Sequence, residues 1–138
     1  MATRITHILL LEDDINLCSV YAEYLRSRGY VVETGADGQE GWDIVGSKHF
    51  DLIITDTAMP RMNGFEFLKV LRDCNNQTPA LMIGDTDARE DVLRAYALGC
   101  DDYLVKPFSM DILVYKIEAI MRRYRAGQRE GEMEFDLA

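Results

Sequence analysis

Charged side chains follow three apolar runs in this 138-residue sequence, and the runs are typical of buried strands. They are Glu12 and Asp13 after residues 5–11, Asp56 after residues 52–55, and Lys106 after residues 102–105. The carboxyl ends of parallel strands share one edge of an open α/β sheet, so we expect these side chains to meet there. Two carboxylates held about 4 Å apart repel by roughly 4 kcal/mol at an effective dielectric constant near 20. A cluster of three therefore requires a cation or extra protons.

The donor atoms of this cluster indicate the cation. The strand ends offer carboxylate oxygens and no His or Cys side chain, which favours Mg²⁺. Lys106 adds an ammonium group that can pair with Asp56 or with a phosphoryl oxygen. The predicted chemistry is phosphoryl transfer onto Asp56 as the nucleophile, with Mg²⁺ and Lys106 neutralising the charge that develops.

Each of these charged residues, taken alone, is more simply explained as a solvated loop charge or a helix cap. Asp14 is an example, and we interpret it as the N-cap of the first helix rather than as a metal ligand. The prediction of a site therefore depends on the convergence of several residues at the strand ends.

The elements that must position these residues alternate along the chain. Strands are predicted at residues 5–11, 30–34, 52–55, 79–83 and 102–105, and helices around residues 17–25, 40–46, 64–74 and 88–98 and after Ser109. The apolar residues that share a helix face are Leu17, Val20, Tyr21, Tyr24 and Leu25 in the first helix, Leu93, Tyr96 and Ala97 in the fourth, and Leu113, Ile117, Ile120, Met121 and Tyr124 in the last. This alternation requires right-handed crossovers and a parallel sheet with helices on both faces.

The composition excludes several classes of function. A net charge of −9 makes nucleic acid and anionic membranes poor partners for this chain by itself. No apolar run reaches the roughly 20 residues of a membrane span, and the start of the sequence lacks a signal peptide. The three cysteines are far apart and lack metal-ligand spacing, so we expect reduced thiols and a cytoplasmic location.

Three motifs resemble those of the receiver domain of two-component response regulators, over about residues 5–125. They are Ile-Leu-Leu-Leu-Glu-Asp-Asp at 8–14, Asp-Thr-Ala-Met-Pro-Arg-Met-Asn-Gly at 56–64, and Gly-Cys-Asp-Asp-Tyr-Leu-Val-Lys-Pro-Phe at 99–108. The resemblance implies one receiver domain over residues 1–125 with the CheY-like, flavodoxin-like (βα)5 fold. That fold is a three-layer sandwich around a doubly wound, five-stranded parallel sheet with strand order 2-1-3-4-5.

The resemblance also implies roles for the residues at the strand ends. Asp56 would accept a phosphoryl group from a sensor histidine kinase, and Lys106 would contact that group. Asp13 would bind Mg²⁺ directly and Glu12 would bind it through water. Asp56 and the backbone carbonyl of Ala58 would complete the protein ligands.

One position departs from the family pattern. Receivers usually carry Ser or Thr at the end of strand four, where the hydroxyl binds a phosphoryl oxygen, and the corresponding residue here is Gly84. Thr86 would substitute for that hydroxyl only if the loop shifts. The resemblance implies that Tyr103 is the aromatic residue that turns inward on activation. Because the hydroxyl at position 84 is missing, we expect a weakened or altered switch.

The end of the sequence is charged and loses the apolar period, so residues 126–138 are predicted to be a linker. Residues 131–138 resemble the first strand of the winged-helix DNA-binding domain in the OmpR/PhoB subfamily. The chain would then be the receiver half of a longer transcriptional regulator, and would contact DNA only through an absent C-terminal domain. A stand-alone receiver with a disordered acidic tail is the alternative.

Active dimers of that subfamily pair through helix four, strand five and helix five, with three ion pairs between the subunits. The corresponding positions here are Asp102 with Lys116, Val92 with Ile112, and Ala97 with Glu118. Only the first of these can form an ion pair, but exposed ion pairs contribute only about 0–1 kcal/mol each. An apolar contact between Val92 and Ile112 would still allow a homodimer on this face.

Two enzyme or cofactor functions fit the sequence less well. Phosphatases of the haloacid dehalogenase type need a second acid two residues after the nucleophile, where this sequence has Ala58. A flavodoxin-like cofactor binder needs a phosphate loop after strand one, where residues 12–14 are acidic. We therefore expect a signalling domain that catalyses only its own phosphorylation and dephosphorylation. The rival is a receiver that acts without phosphorylation as an interaction or dimerisation module, which Gly84 favours.

Overall fold

The computed structural model describes residues 4–137, with side-chain surroundings for residues 4–127. Strands and helices alternate in this part of the chain as β1 (His7–Leu11), α1 (Ile15–Ser27), β2 (Val31–Gly35), α2 (Gly38–Val45), β3 (Leu52–Asp56), α3 (Gly64–Asp73), β4 (Ala80–Gly84), α4 (Arg89–Ala97), β5 (Asp102–Val105) and α5 (Met110–Leu137). All neighbouring strands are parallel, in the order β2-β1-β3-β4-β5, which confirms the predicted fold class. Apart from the end of α5, element ends differ from the prediction by at most two residues.

Apolar side chains on the two faces of the sheet form two separate cores. Helices α1 and α5 cover one face, with Leu25 and Ile117 fully buried against it. Helices α2, α3 and α4 cover the other face, where Phe67 and Leu68 are fully buried. Because both faces are covered, every residue of β3 is buried. The central strand is thereby fixed in register, and with it the position of the residue that ends it.

The predicted faces of α1 and α5 are largely confirmed. Tyr21 and Leu25 are buried, but Val20 is 53% exposed, which the apolar spacing predicted wrongly. Ala22 is buried instead, because it lies on the side of α1 that packs into the core. The last helix buries four of its predicted residues, namely Leu113, Ile117, Ile120 and Met121.

Helix α4 packs through a different side from the one that its apolar residues suggest. Leu93 and Tyr96 are 54% and 46% exposed, whereas Ala95 is fully buried. Val92 and Leu98 are half-buried beside the same core as Ala95. Apolar residues therefore occur on both sides of α4, and their spacing alone cannot indicate which side faces the sheet.

The backbone of α5 is helical as far as Leu137, where a linker and a first strand were predicted from residue 126 onward. Gln, Glu, Arg and Met occur throughout this stretch, and such residues allow a helix to continue. The side chains of residues 128–137 and all of Ala138 lie outside the described part of the chain. The division into a receiver domain over residues 1–125 and a following segment stays a prediction.

No helix within residues 4–137 is both long and apolar enough to cross a membrane.

Candidate functional site

The carboxyl ends of β1, β3 and β5 bring the predicted site residues together. Glu12 follows β1 directly, Asp56 is the last residue of β3, and Lys106 follows β5. Glu12 and Asp56 are only 4% and 3% exposed, while Asp13 is exposed. We call Glu12, Asp13, Asp56 and Lys106 the acidic crevice.

The carboxylates of the acidic crevice form a set of oxygen donors that fits Mg²⁺. One carboxylate oxygen from each of Glu12, Asp13 and Asp56 lies within 4.8 Å of the others. The backbone nitrogen of Ala58 donates to Asp56 Oδ1 at 3.0 Å, so the backbone at Ala58 begins beside the same carboxylate. Magnesium typically takes one or two carboxylates with further oxygen ligands and waters. The donor set is therefore compatible with the predicted ion.

Lys106 is the cation that the chain itself supplies to this cluster. Its ammonium group donates to Asp56 Oδ2 and, at 3.3 Å, to Glu12 Oε2. It also lies 4.0 Å from Asp85 Oδ1. Burial would lower the pKa of Lys106, but the hydrogen bonds and negative charges of Asp56 and Glu12 outweigh burial and raise it. The lysine is therefore fully charged at any physiological pH.

Glu12 carries the strongest sign of charge crowding. Burial, followed by the hydrogen bond and the negative charge of Asp56, raises the pKa of Glu12 to about 8. The backbone nitrogen of Asp14 donates to Glu12 Oε1 at 3.1 Å and opposes this shift, as does Lys106. One ammonium group thus compensates the buried carboxylates only in part, and a further cation would be bound favourably.

Asp14 caps helix α1, as predicted, and is not part of the donor set. Its Oδ1 accepts hydrogen bonds from the backbone nitrogens of Asn16 and Leu17, at 3.0 and 3.1 Å. The three consecutive acids after β1 therefore divide between the crevice and the start of the helix.

Asp37 and Arg61 support the acidic crevice and were not predicted from the sequence. Asp37 is 3% exposed, caps α2, and accepts a hydrogen bond from Arg61 Nε at 2.6 Å. Beside it, the backbone nitrogen of Gly38 donates to the Met62 carbonyl at 2.8 Å. These contacts anchor the loop that follows Asp56. An Asp-Gly pair before a helix does suggest a cap, but no sequence signal pairs Asp37 with Arg61.

Gly64 allows α3 to begin directly against Asp56. A β-carbon at this position would overlap the carbonyl oxygen of Asp56 and lie 3.1 Å from Thr57 Cα. Asn63 caps α3 in a reciprocal arrangement with Glu66. The Asn-Gly pair is therefore a packing requirement of the site as well as a loop signal.

The predicted switch residues lie next to the crevice. Gly84 ends β4 and is buried, so no side-chain hydroxyl is present at that position. Thr86 is exposed, and its Oγ1 accepts a hydrogen bond from the backbone nitrogen of Ala88 at 3.0 Å. Tyr103 is 8% exposed, and its hydroxyl donates to the Thr86 carbonyl at 3.0 Å. The hydroxyl of Thr86 is thus engaged at the start of α4.

Six residues were predicted to form a dimer face on α4, β5 and α5, and two of them contact each other within the chain. Lys116 Nζ lies 2.9 Å from Asp102 Oδ2 within one chain. The other four positions are a half-buried Val92 and the exposed Ala97, Ile112 and Glu118.

Sequence comparisons match most of the chain to one family. The family model for the response regulator receiver domain matches residues 8–118. The transcriptional regulatory protein RprY of Bacteroides fragilis is 40% identical over 118 residues, which are 86% of this chain and 50% of that protein. The response regulator ArlR of Staphylococcus aureus is 38% identical over 118 residues, which are 86% of this chain and 53% of that protein. The chain spans about half the length of the curated relatives that it matches.

Solved structures agree with the sequence comparisons. The chemotaxis response regulator CheY4 of Vibrio cholerae has a TM-score of 0.80 at 34% identity, over 85% of this chain and 99% of that one. A CheY-like receiver domain protein from Methanospirillum hungatei has a TM-score of 0.85 at 24% identity, over 90% of this chain and 99% of that one. The second likeness supports the fold alone.

Proposed function

Because the chain belongs to the response regulator receiver domain family, we propose that it is the phosphoacceptor of a two-component system, with Asp56 as the residue that accepts the phosphoryl group. The observation that supports this most is the buried Asp56 carboxylate held between Lys106 and two further acids. A solvated loop charge would have no reason to be buried with like charges around it.

The two oxygens of Asp56 have different partners, which suits a nucleophile held in one orientation. Oδ1 accepts from the Ala58 backbone nitrogen at 3.0 Å, and Oδ2 accepts from Lys106 Nζ. In the proposed reaction, a lone pair of an Asp56 carboxylate oxygen forms a bond to phosphorus. The bond between phosphorus and the donor breaks, and its electron pair leaves on the donor atom, which is a kinase histidine nitrogen or the oxygen of a small phosphodonor. Lys106 neutralises negative charge on the transferred group.

The remaining residues of the crevice would hold Mg²⁺, with Asp13 as a direct ligand, Glu12 acting through water, and the Ala58 carbonyl beside Asp56. When bound, the ion supplies the positive charge that allows an anionic phosphoryl group to approach a carboxylate. This role is consistent with the raised pKa of Glu12, which results from burial and then from the hydrogen bond and negative charge of Asp56.

The partners follow from the same proposal. A sensor histidine kinase would supply the phosphoryl group, and an attached or separate effector would receive the signal. Since RprY is a transcriptional regulatory protein about twice as long as the matched segment, the effector is proposed to be a DNA-binding domain beyond this segment. The exchange would take place in the cytoplasm, in keeping with three cysteines that are free thiols here.

A second candidate function is an interaction module that acts without phosphorylation. Gly84 favours it, because the hydroxyl expected to contact the phosphoryl group is absent at that position. The buried acidic crevice favours the first function instead, since a module that never bound a phosphoryl group would gain nothing from crowded carboxylates.

Intact-mass analysis tests the proposed function. Wild-type protein incubated with Mg²⁺ and acetyl phosphate is expected to gain the mass of one phosphoryl group, and EDTA should prevent the gain. Asp56→Asn should abolish the adduct. Asp73→Asn is the matched control, because Asp73 is an exposed carboxylate that pairs with Lys69 at 2.8 Å. A wild-type protein without an adduct would favour the second function, whereas an adduct that persists in Asp56→Asn would show that a residue other than Asp56 accepts the phosphoryl group.

A further inference from the structure

The ring of Tyr103 fills the space that a side chain at position 84 would need. A β-carbon built on Gly84 would overlap the Tyr103 hydroxyl oxygen and lie 2.8 Å from Tyr103 Cζ. Real side chains do not approach this closely, so any residue other than glycine at position 84 would displace the phenol ring. The inward position of the tyrosine ring therefore requires glycine at position 84.

The Tyr103 hydroxyl connects β5 to the loop between β4 and α4, residues 85–88. It donates to the Thr86 carbonyl at 3.0 Å. In the same loop, the backbone nitrogen of Ala88 donates to Thr86 Oγ1 at 3.0 Å, and Asp85 Oδ1 lies 4.0 Å from Lys106 Nζ. The loop thus contributes a carboxylate to the mouth of the acidic crevice, and Tyr103 helps to hold it there.

The Tyr103 hydroxyl keeps its proton at physiological pH and can therefore donate a hydrogen bond. Burial, followed by the negative charges of Asp91, Asp56 and Asp85, raises the pKa of Tyr103. Losing the hydrogen bond to Thr86 would leave a buried hydroxyl without its partner, which typically costs about 1–3 kcal/mol.

We infer that Gly84 and Tyr103 form a fitted pair that holds the loop 85–88 at the crevice, so that this loop and the Tyr103 ring keep one arrangement whether or not Asp56 carries a phosphoryl group. The part about phosphorylation rests on the proposed function. A ligand shifts an equilibrium only by binding two states differently. Position 84 offers no side chain that would gain a contact with a phosphoryl group, and the hydrogen bond from the Tyr103 hydroxyl to the Thr86 carbonyl joins two uncharged groups.

A fixed Tyr103 would also fix the surface beside it. Asp102 precedes Tyr103 in β5 and joins α4 to α5, since it accepts from Tyr96 Oη at 3.2 Å and from Lys116 Nζ at 2.9 Å. If Tyr103 keeps one position, the surface formed by α4, β5 and α5 is presented constantly. Phosphorylation of Asp56 would then act on an effector through elements other than this surface.

A thermodynamic cycle tests the fitted pair itself. Gly84→Ala should lower the urea midpoint of unfolding when Tyr103 is present. Most of that loss should disappear when the change is made in a Tyr103→Ala protein, because the ring that the new β-carbon would overlap is gone. Gly46→Ala is the control, since a β-carbon there would lie 3.5 Å from the Asp43 carbonyl oxygen, an ordinary contact. Equal losses from Gly84→Ala in both backgrounds would overturn the inference.

NMR tests whether Tyr103 keeps its position when the phosphoryl site is occupied, and it does not depend on a stability measurement. Tyrosine-labelled wild-type protein should show an NOE between the Tyr103 ring and the Gly84 α-protons, with the ring signal assigned from Tyr103→Phe. This NOE should persist after beryllofluoride and Mg²⁺ are added as a phosphoryl mimic. Its disappearance when the bound-fluoride signal appears would overturn the inference. If no bound-fluoride signal appears, the proposed function fails, and the cycle alone decides whether the pair exists.

Discussion

Lys116 Nζ lies 2.9 Å from Asp102 Oδ2 within a single chain, and both side chains are half-buried. The two residues that were expected to pair across a dimer are therefore already paired inside one protomer. Around them, Leu93, Tyr96 and Ile112 are exposed at 54%, 46% and 43%. Any attraction between two copies on this face would come mainly from these apolar side chains, because Asp102 and Lys116 already pair with each other within one chain.

Self-association through this face should depend on Ile112 more than on the ion pair. Ile112→Asp is expected to weaken dimerisation strongly, because it introduces a charge into an apolar contact. The joint change of Asp102→Ala and Lys116→Ala should weaken it only slightly. Sedimentation velocity at rising protein concentration measures both effects.

Val31→Asp is the control for this prediction, because Val31 is an apolar residue, 47% exposed, on the edge strand β2. A wild-type protein that stays monomeric at every concentration, or a Val31→Asp variant that dissociates as readily as Ile112→Asp, would contradict the prediction.

Removal of the Lys106 ammonium should slow phosphoryl uptake and strengthen Mg²⁺ binding. Lys106→Gln removes a charge that stabilises the transferred group, and the loss of one such donor typically costs about a hundredfold in rate. The same change frees Asp56 and Glu12 from a competing cation. The rate is measured from the time course of the mass adduct, and Mg²⁺ affinity by calorimetry.

Lys48→Gln provides the comparison, because Lys48 pairs with Glu33 at 2.9 Å on the surface. Its uptake rate should match that of wild type. A Lys106→Gln variant with an unchanged rate would show that the lysine is structural only.

The stability of the metal-free protein should fall as pH rises through neutrality. The pKa of Glu12 is raised to about 8 in the folded chain, by burial and then by Asp56. In the unfolded chain a Glu side chain has a pKa of about 4.3. Between these values the folded state holds a proton that the unfolded state has released, so the free energy of unfolding decreases from about pH 5 to about pH 8.

Urea unfolding in EDTA across this range measures the slope, which Glu12→Gln should flatten. Glu33→Gln should leave the slope unchanged, because Glu33 is a surface residue. Identical slopes in wild type and Glu12→Gln would mean that Glu12 is ionised in the folded protein throughout.

Asp37 should contribute to stability although it lies outside the acidic crevice. Asp37→Ala removes the cap of α2 and is expected to cost about 1–2 kcal/mol, with a further loss because Arg61 loses its 2.6 Å contact with Asp37. Asp37→Asn should cost less, since an amide oxygen can still cap the helix. Urea unfolding measures the difference. Asp43→Ala, at an exposed position in the same helix, should have little effect.

The sequence predicted the structure best at positions where the type of residue alone favours one local structure. The apolar, β-branched run 52–55 is typical of a buried strand, and Asp14 had the position of a cap, so both the strand and the cap could be predicted. Helix α4 shows the limit, because Leu93 and Ala95 are both apolar and only packing decides that Ala95 is the buried one. Periodicity identifies a face but does not say what covers it.

The members of the acidic crevice and the pairing of Lys106 with Asp56 could be predicted from the sequence, but the contacts that support the crevice could not. Glu12, Asp56 and Lys106 converge because parallel strands end at one edge. The pairing of Asp37 with Arg61 depends on how two loops approach each other, which no local pattern records. Likewise, the absence of a hydroxyl at Gly84 can be read from the sequence, whereas the phenol ring that fills the space becomes apparent only in three dimensions.

Borohydride trapping with peptide sequencing by mass spectrometry is the most direct test of the claim that Asp56 is the phosphoacceptor. Borohydride reduces an aspartyl phosphate to homoserine, which marks the residue that carried the phosphoryl group. After incubation with Mg²⁺ and acetyl phosphate, we predict homoserine in place of Asp56 and unmodified side chains at Glu12 and Asp13. Reduction at either of those residues, or at none of the three, would contradict the claim.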